Sequence, residues 1–474
     1  METSKKQPLE TPSQAPEEKR NLIERYSTTI KAFAVAILTL MLLIPLAMIQ
    51  SLIHERQNIR QGAVQEITSK WGGEQTITGP CLVVPYEEIR VEDKKEITVK
   101  RNLLVLPETL DAKVSTRVEK RKRGIYDASV YGSDIVLSGQ FDGSVITRQN
   151  VQLSQVKWED VRIIIGLSDL KGIKDNVSLQ SNGQTIAFGP GIPVENLEPG
   201  RGEAVKNTKI TYELFSVGLN AKIDSLKPDS IFQAMLPFTV SLKLNGSQGL
   251  YIVPTGKTTT AAMQSDWATP SFDGEFLPQT REIDKTGFSA EWRVLDLNRS
   301  FGQAIRSDDS NAINQMASSR FGVRFIQAVD QYQQNMRSVK YGILIVLLTF
   351  VAVFFIELLQ KKPVNPFQYI LVGLALVLFY TLLLSMSELL GFNLAYLTAA
   401  TMTTLLIMLH MGSILKSRKN GLLVGVLLVF LYLFIFILIQ MESYALLVGS
   451  LGLFAILAVI MYYSKKVTSS LFSF

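Results

Sequence analysis

Two acids end long apolar runs, Glu357 in "FFIELLQKK" and Glu388 in "SMSELLGF", and their placement invites a chemical reading before anything else in the chain. An ionised carboxylate at the centre of a bilayer costs about 2.5–3.5 kcal/mol on insertion scales, so an acid kept there is a functional candidate by default. Glu357 stands four residues before Lys361, where it could reach headgroup water or pair with a base at helical spacing. A helix-end anchor is the first reading for it and a functional carboxylate the second. Glu388 ends the following run, so the two acids fall on opposite membrane faces and cannot form one site. Relay groups between them are few: Tyr380, Ser385, Ser387, Thr401, Thr403, Thr404 and His410. Hydroxyls of this kind usually bond their own helix backbone or a neighbouring helix, and "LTAATMTTLL" reads as a close-packing face.

Metal and nucleophile chemistry find little support. The two histidines, His54 and His410, are expected at opposite membrane faces. The sequence contains no H-E-x-x-H, C-x-x-C, phosphate loop or G-x-S-x-G elbow. Converging carboxylates for acid–base work are not legible from sequence. The reading is therefore non-enzymatic, with no cofactor. Cys81 is the single cysteine, so it can bridge nothing within the chain, and in the apolar "GPCLVVP" run it reads as a small buried thiol.

Two further stretches are candidates for recognition. "SDWATPSFDGEFLPQ" sets Trp267, Phe272, Phe276 and Leu277 between Pro and Gly breaks. It predicts a long ordered loop that is either a recognition loop with aromatic anchors or, preferred here, a structural plug at the end of a β-sandwich or barrel. "RVEKRKRGIY" gathers Arg117, Lys120, Arg121, Lys122 and Arg123. Such a patch could meet lipid phosphates or an anionic polymer, or be a solvated strand end whose charge discourages edge pairing, the commoner case.

The elements that must position these residues are set by hydropathy. The chain has 474 residues, of which 47% are hydrophobic, with a mean hydropathy of +0.20, and a membrane crossing needs roughly 20 apolar residues. Six segments approach that length: Ala32–Ile53, Tyr341–Leu359, Phe367–Ser387, Phe392–Leu415, Gly421–Gln440 and Tyr444–Tyr463. The first is too long for a signal-peptide core and reads as a retained anchor. The expected organisation is a disordered tail at 1–28, membrane helix 1 at 29–54, a β-rich domain at 55–338, a five-helix bundle at 339–464 and a short tail at 465–474.

Lys361 and Lys362, then Lys416, Arg418 and Lys419, then Lys465 and Lys466 fall at alternate crossings, while the turns "SELLGFN" and "QMES" lack Lys and Arg. This asymmetry predicts cytoplasmic termini and an outer location for 55–338, with Arg337 and Lys340 running against the trend. An outer domain makes nucleic acid an unexpected partner. Alternation in "EITVKRNLLVL", "DVRIIIGL", "PFTVSLKLNG" and "GFSAEWRVLDL" predicts strands. His54 to Lys70 is helical in pattern, breaking at Gly72-Gly73, and "AIRSDDSNAINQMASSRFG" reads as helix or loop.

The run from Asn245 to Trp292, with "ITGPCLVVP", "RKRGIYDASVYGSDIVLSGQFD", "DQYQQNMRSVKYGILIVLLTF" and "NPFQYILVGLALVLFYTLLLSMSELLGF", resembles the CreD family of bacterial inner-membrane proteins. The resemblance implies a polytopic α-helical membrane protein with six transmembrane helices and a large β-rich periplasmic domain between helices 1 and 2. It also implies a link to cell-envelope integrity, colicin tolerance and envelope-stress regulation, but supplies no catalytic residues. The expected partners are the lipid bilayer and an envelope protein, lipid or anionic polymer. A transporter or channel using Glu357 and Glu388 is the alternative.

Overall fold

The computed structural model describes residues 18–92, 95–149, 151–193, 214–223, 235–325, 331–360, 364–441 and 444–472. The chain divides into two compact units, one formed by 1–59 with 329–474 and the other by 60–328.

The first unit is helical. Its candidate membrane helices are Ile30–Trp71, Gln331–Leu358, Pro366–Leu390, Phe392–Ile414 and Arg418–Gln440, five that are long and apolar enough to cross a bilayer among the described residues. The final helix, Ala445–Phe472, carries a shorter apolar stretch at Ala445–Val459. Six spans were expected, and among the described residues five are long and apolar enough. Leu397, Leu409, Leu422 and Leu433 are exposed on helix faces, a cost in water and none in lipid. Helix ends follow local chemistry: the Asn365 side chain accepts from the Phe367 amide at 3.1 Å, ahead of a helix that begins at Pro366. Gly391, at φ +77, separates this helix from the next. At the amino end, helix begins at Glu18, inside the tail expected to be disordered through residue 28. The remainder of that tail, 1–17, lies outside the described residues.

The second unit is a β structure, as the alternating runs predict. Its nine-stranded sheet is organised around Gln75–Glu92, which pairs antiparallel with Lys95–Val105 and Arg162–Leu167 and parallel with Gly249–Ile252. Its eight-stranded sheet includes Phe288–Leu295, Thr258–Ser265, Thr109–Arg123, Tyr126–Phe141 and Leu236–Ser247 as consecutive neighbours. Ile77, Leu82 and Val84 from the first sheet share one core with Leu110, Val114, Leu137 and Trp292 from the second, an arrangement of facing sheets.

The predicted break after Lys70 is made by glycine. The helix ends at Trp71, and Gly72 adopts φ +143 with its missing Cβ position 2.8 Å from the Asn245 carbonyl, so neither a left-handed backbone nor this close approach tolerates a side chain. The segment "AIRSDDSNAINQMASSRFG" is not simply helix or loop. Ala304–Arg306 adds a strand beside Leu103–Val105, Ser310–Ser318 is a helix capped by Asp309, and Phe321–Phe325 is again a strand. The first of these strands has three residues, too few for an alternation to show.

Candidate functional site

In the helical unit Glu357 is 6% exposed, and both of its oxygens are engaged. Lys31 Nζ donates to Oε1 at 2.7 Å and the Tyr369 hydroxyl donates to Oε2 at 2.9 Å. Three helices thus meet at one carboxylate: Glu18–Met41, Gly342–Gln360 and Pro366–Leu390. A buried acid with one cation and one hydroxyl has its charge compensated without water. The helical neighbour expected from sequence, Lys361, lies outside the described residues; the cation that meets Glu357 comes instead from far along the chain. Its signal in the sequence was its position, the last base before the first apolar run.

Glu388 is half-buried and accepts from the Tyr332 hydroxyl at 2.9 Å. One turn away, Asn335 Nδ2 donates to Ser387 Oγ at 2.8 Å. On one helix, Tyr369 and Glu388 are separated by about 28 Å at 1.5 Å per residue, so the two acids occupy opposite ends, as the spacing predicts. Of the expected relay hydroxyls, Thr401 and Ser387 close on their own helices: Thr401 donates to the Leu397 carbonyl at 2.8 Å and Ser387 to that of Leu384 at 2.9 Å. His410 Nε2 and the Tyr380 hydroxyl are buried without a hydrogen-bond partner among the described residues. At the turn near His410 the small residues serve close packing, with the Cβ position of Gly421 2.7 Å from Gly412 Cα.

The aromatic stretch of the β unit is part strand. Pro270–Gly274 pairs with Phe321–Phe325 and extends the nine-stranded sheet immediately after Thr258–Ser265 has served the eight-stranded one. Phe272 lies 5.7 Å from both Phe288 and Trp292, and Phe276 lies 6.4 Å from Phe321. The Trp292 indole donates to the Phe276 carbonyl at 3.1 Å. These rings pack against the core as a plug does, while Trp267 is half-buried with Lys120 at 5.9 Å from its ring. Leu277 points outward, 69% exposed.

The basic run ends the strand Thr109–Arg123 and is exposed. Its ladder with Thr258–Ser265 stops at Thr116, so beyond that residue one edge is free of it, the place where charge guards against further pairing. Arg121 pairs with Glu119 at 3.0 Å, Arg123 pairs with Glu66, and Lys122 is exposed. The Arg121 guanidinium also stands 4.5 Å from the centre of the Trp71 ring. Trp71 and Arg121 line a cleft of about 770 Å³ on the outer face of the eight-stranded sheet. Sequence reading missed this cleft, because its lining comes from strands far apart in the chain.

Electrostatics elsewhere in the β unit are structural. Burial pushes the Cys81 thiol well up, opposed by the Arg299 charge, and the thiol is fully enclosed. Burial also lowers the Arg299 guanidinium to about 10. Among the described residues no group of three His, Cys, Asp or Glu side chains is placed to hold a metal ion.

The family model described as "Inner membrane protein CreD" matches residues 27–469. The chain belongs to the CreD family. A curated relative, the inner membrane protein CreD of Escherichia coli (strain K12), is 30% identical over 438 residues, covering 92% of each chain. The match agrees with the resemblance carried by the five quoted segments and extends it across the last helices. It establishes an inner-membrane protein.

Proposed function

We propose that this protein is a non-enzymatic support of cell-envelope integrity that works by binding an envelope component through its β unit. In this reading Ala445–Phe472 is the sixth span, both termini are cytoplasmic and residues 55–338 are periplasmic. The Lys and Arg clusters at 361–362, 416–419 and 465–466 support that orientation. One contrast carries the functional reading. The membrane carboxylate Glu357 has both oxygens taken by Lys31 and Tyr369, whereas the β unit presents an open polar cleft.

The transporter reading draws on His410 Nε2 and the Tyr380 hydroxyl, buried without partners among the described residues. Complementation of an envelope-stress phenotype in a strain lacking the protein separates the two. Glu357→Gln and Glu388→Gln, each measured for membrane abundance, are expected to restore the envelope. A variant present at normal abundance that fails to restore it would move the proposal to transport.

A further inference from the structure

The outer face of the eight-stranded sheet carries a row of polar side chains in register. Ser289 is opposite Gln264, Gln264 opposite Ser115, Ser115 opposite Asp134 and Asp134 opposite Lys243. All five side chains are exposed, and all five line the cleft. Five neighbouring strands at about 4.8 Å each make a row of about 19 Å. That is longer than one sugar ring.

The next row holds the deeper feature. Gly132 is opposite Arg117 on one side and Asn245 on the other, so a dip without a side chain lies between a guanidinium and an amide. Asn245 is 6% exposed, and among the described residues its Oδ1 has no hydrogen-bond partner. That oxygen lies 3.4 Å from the position a Gly132 Cβ would take, which aims it into the dip. An unpaired buried amide oxygen is costly unless a ligand or water completes it.

The end wall is built with care. The Trp71 indole donates to the Tyr131 carbonyl at 3.1 Å, beside Gly132, with Arg121 and Lys174 at 4.5 and 5.2 Å from its ring centre. Gln75 fixes this wall by donating to the carbonyls of Asp169 and Asn245 at 2.9 and 3.1 Å. At the opposite end Asp284 accepts from the Thr286 hydroxyl and amide, which hold its carboxyl below the usual range.

The lining selects a ligand by elimination. A polyanion would meet Arg117, Arg121, Lys174 and Lys243 but also the five carboxylates of Glu119, Asp134, Asp266, Glu282 and Asp284. A lipid tail would meet polar groups along nearly the whole row. A ligand whose every group both donates and accepts suits interleaved carboxylates, amides, hydroxyls and guanidinium groups, and this is the chemistry of sugar hydroxyls. We propose that the cleft running from Trp71 past Gly132 to Asp284 is a saccharide-binding site that takes an oligomer, with Arg117 and the Asn245 amide holding one sugar in the dip. The assignment rests on the β unit being the binding part of the protein.

The test is calorimetric titration of the full-length protein in lipid nanodiscs with a tetramer of N-acetylglucosamine, with maltotetraose, with their monosaccharides and with inorganic polyphosphate. At least one tetrasaccharide is expected to bind, and at least tenfold tighter than its monomer, which marks a site for a chain and not for a free sugar. Gly132→Val fills the dip with a residue suited to a strand and is expected to weaken binding at least tenfold while leaving the melting temperature unchanged. Arg117→Ala is expected to weaken binding about fivefold, and Arg148→Ala, which lies outside the cleft, to leave it unchanged. Binding of polyphosphate in place of saccharides, binding of none of the probes, or binding that survives Gly132→Val overturns the assignment. If the saccharides fail while truncation of the β unit still abolishes complementation at normal abundance, the functional proposal stands and the saccharide assignment falls by itself.

Discussion

The helical unit and the β unit handle polar groups in opposite ways. In the helical unit, acids are drawn inward and answered by side chains of the same chain, Lys31 and Tyr369 for Glu357 and Tyr332 for Glu388. In the β unit, strand alternation sends apolar groups to a shared core and leaves polar ones in register along an outer face. Water can answer the second set and lipid cannot answer the first. A buried acid beside lipid therefore needs partners in the fold, while polar groups on a sheet face can remain available for a ligand.

The largest expected effect tests the apolar side of that contrast. Trp292 is 2% exposed, its ring 5.5 Å from that of Phe321. Trp292→Ala should destabilise the β unit by about 3–5 kcal/mol, the range for a large aromatic removed from a core, seen as a lowered midpoint in denaturant monitored by circular dichroism. An unchanged midpoint would mean that the two sheets do not share this core.

The helical unit supplies the next effect. Lys31→Met leaves the Glu357 carboxylate without its cation in a place only 6% exposed, and breaking one half of a buried pair costs about 3–5 kcal/mol. Because the Lys31 side chain is 38% exposed, a value near or below the low end is expected. Glu357→Gln should cost less, since the amide can still accept from Tyr369 and Lys31 can turn to water. Thermal aggregation of the detergent-solubilised protein measures the order of the two. Equal losses would show that stranding the buried acid costs no more than removing it.

Legibility in the sequence divides along the same line. Apolar runs near 20 residues, the break at Gly72 and strands such as Leu236–Ser247 all follow from local pattern, because burial imposes a period on contiguous residues. The acids were found the same way, by their position at the ends of runs. Their partners were not. Lys31 and Glu357 are 326 positions apart, and pairing at that distance leaves no periodic trace. The cleft was hidden for a related reason: Gly132, Arg117 and Asn245 become neighbours only through strand register. The aromatic stretch around Phe272 was legible as buried but not as a strand, since its prolines and glycines read as loop.

A charge placed where water can reach it should matter less, and Asp142 measures how much less. Its carboxylate accepts from the Ser144 amide at 2.9 Å and hydroxyl at 2.7 Å, and from Arg148 at 3.3 Å. Burial would raise its pKa, but these donors and the nearby cations outweigh that and lower it. A carboxyl depressed in the folded state contributes stability above its unfolded value, about 3.9, and that contribution is lost as the pH falls through the folded value. Asp142→Asn should therefore cost about 1 kcal/mol at neutral pH and progressively less as the pH is lowered from about 7 towards about 2. Denaturant midpoints across that range test it, and a cost independent of pH would assign the effect to the turn and not to the charge.

The smallest effect is expected at Cys81, where the prediction is that nothing happens until the fold opens. The thiol is enclosed in a cluster that it shares with Val83, Ile164 and, from the helix Ser310–Ser318, Ile313 and Met316. Burial raises its pKa, and the thiolate is the reactive form. A maleimide reagent added to the native protein at pH 7 should leave it unlabelled, with full labelling in denaturant, where the same side chain meets water. Since the sequence holds one cysteine, mass spectrometry reads the outcome without ambiguity. Rapid native labelling would mean that the helix Ser310–Ser318 lifts from the sheet. The contrast would then need restating, because part of the β unit's core would open to water as freely as its cleft.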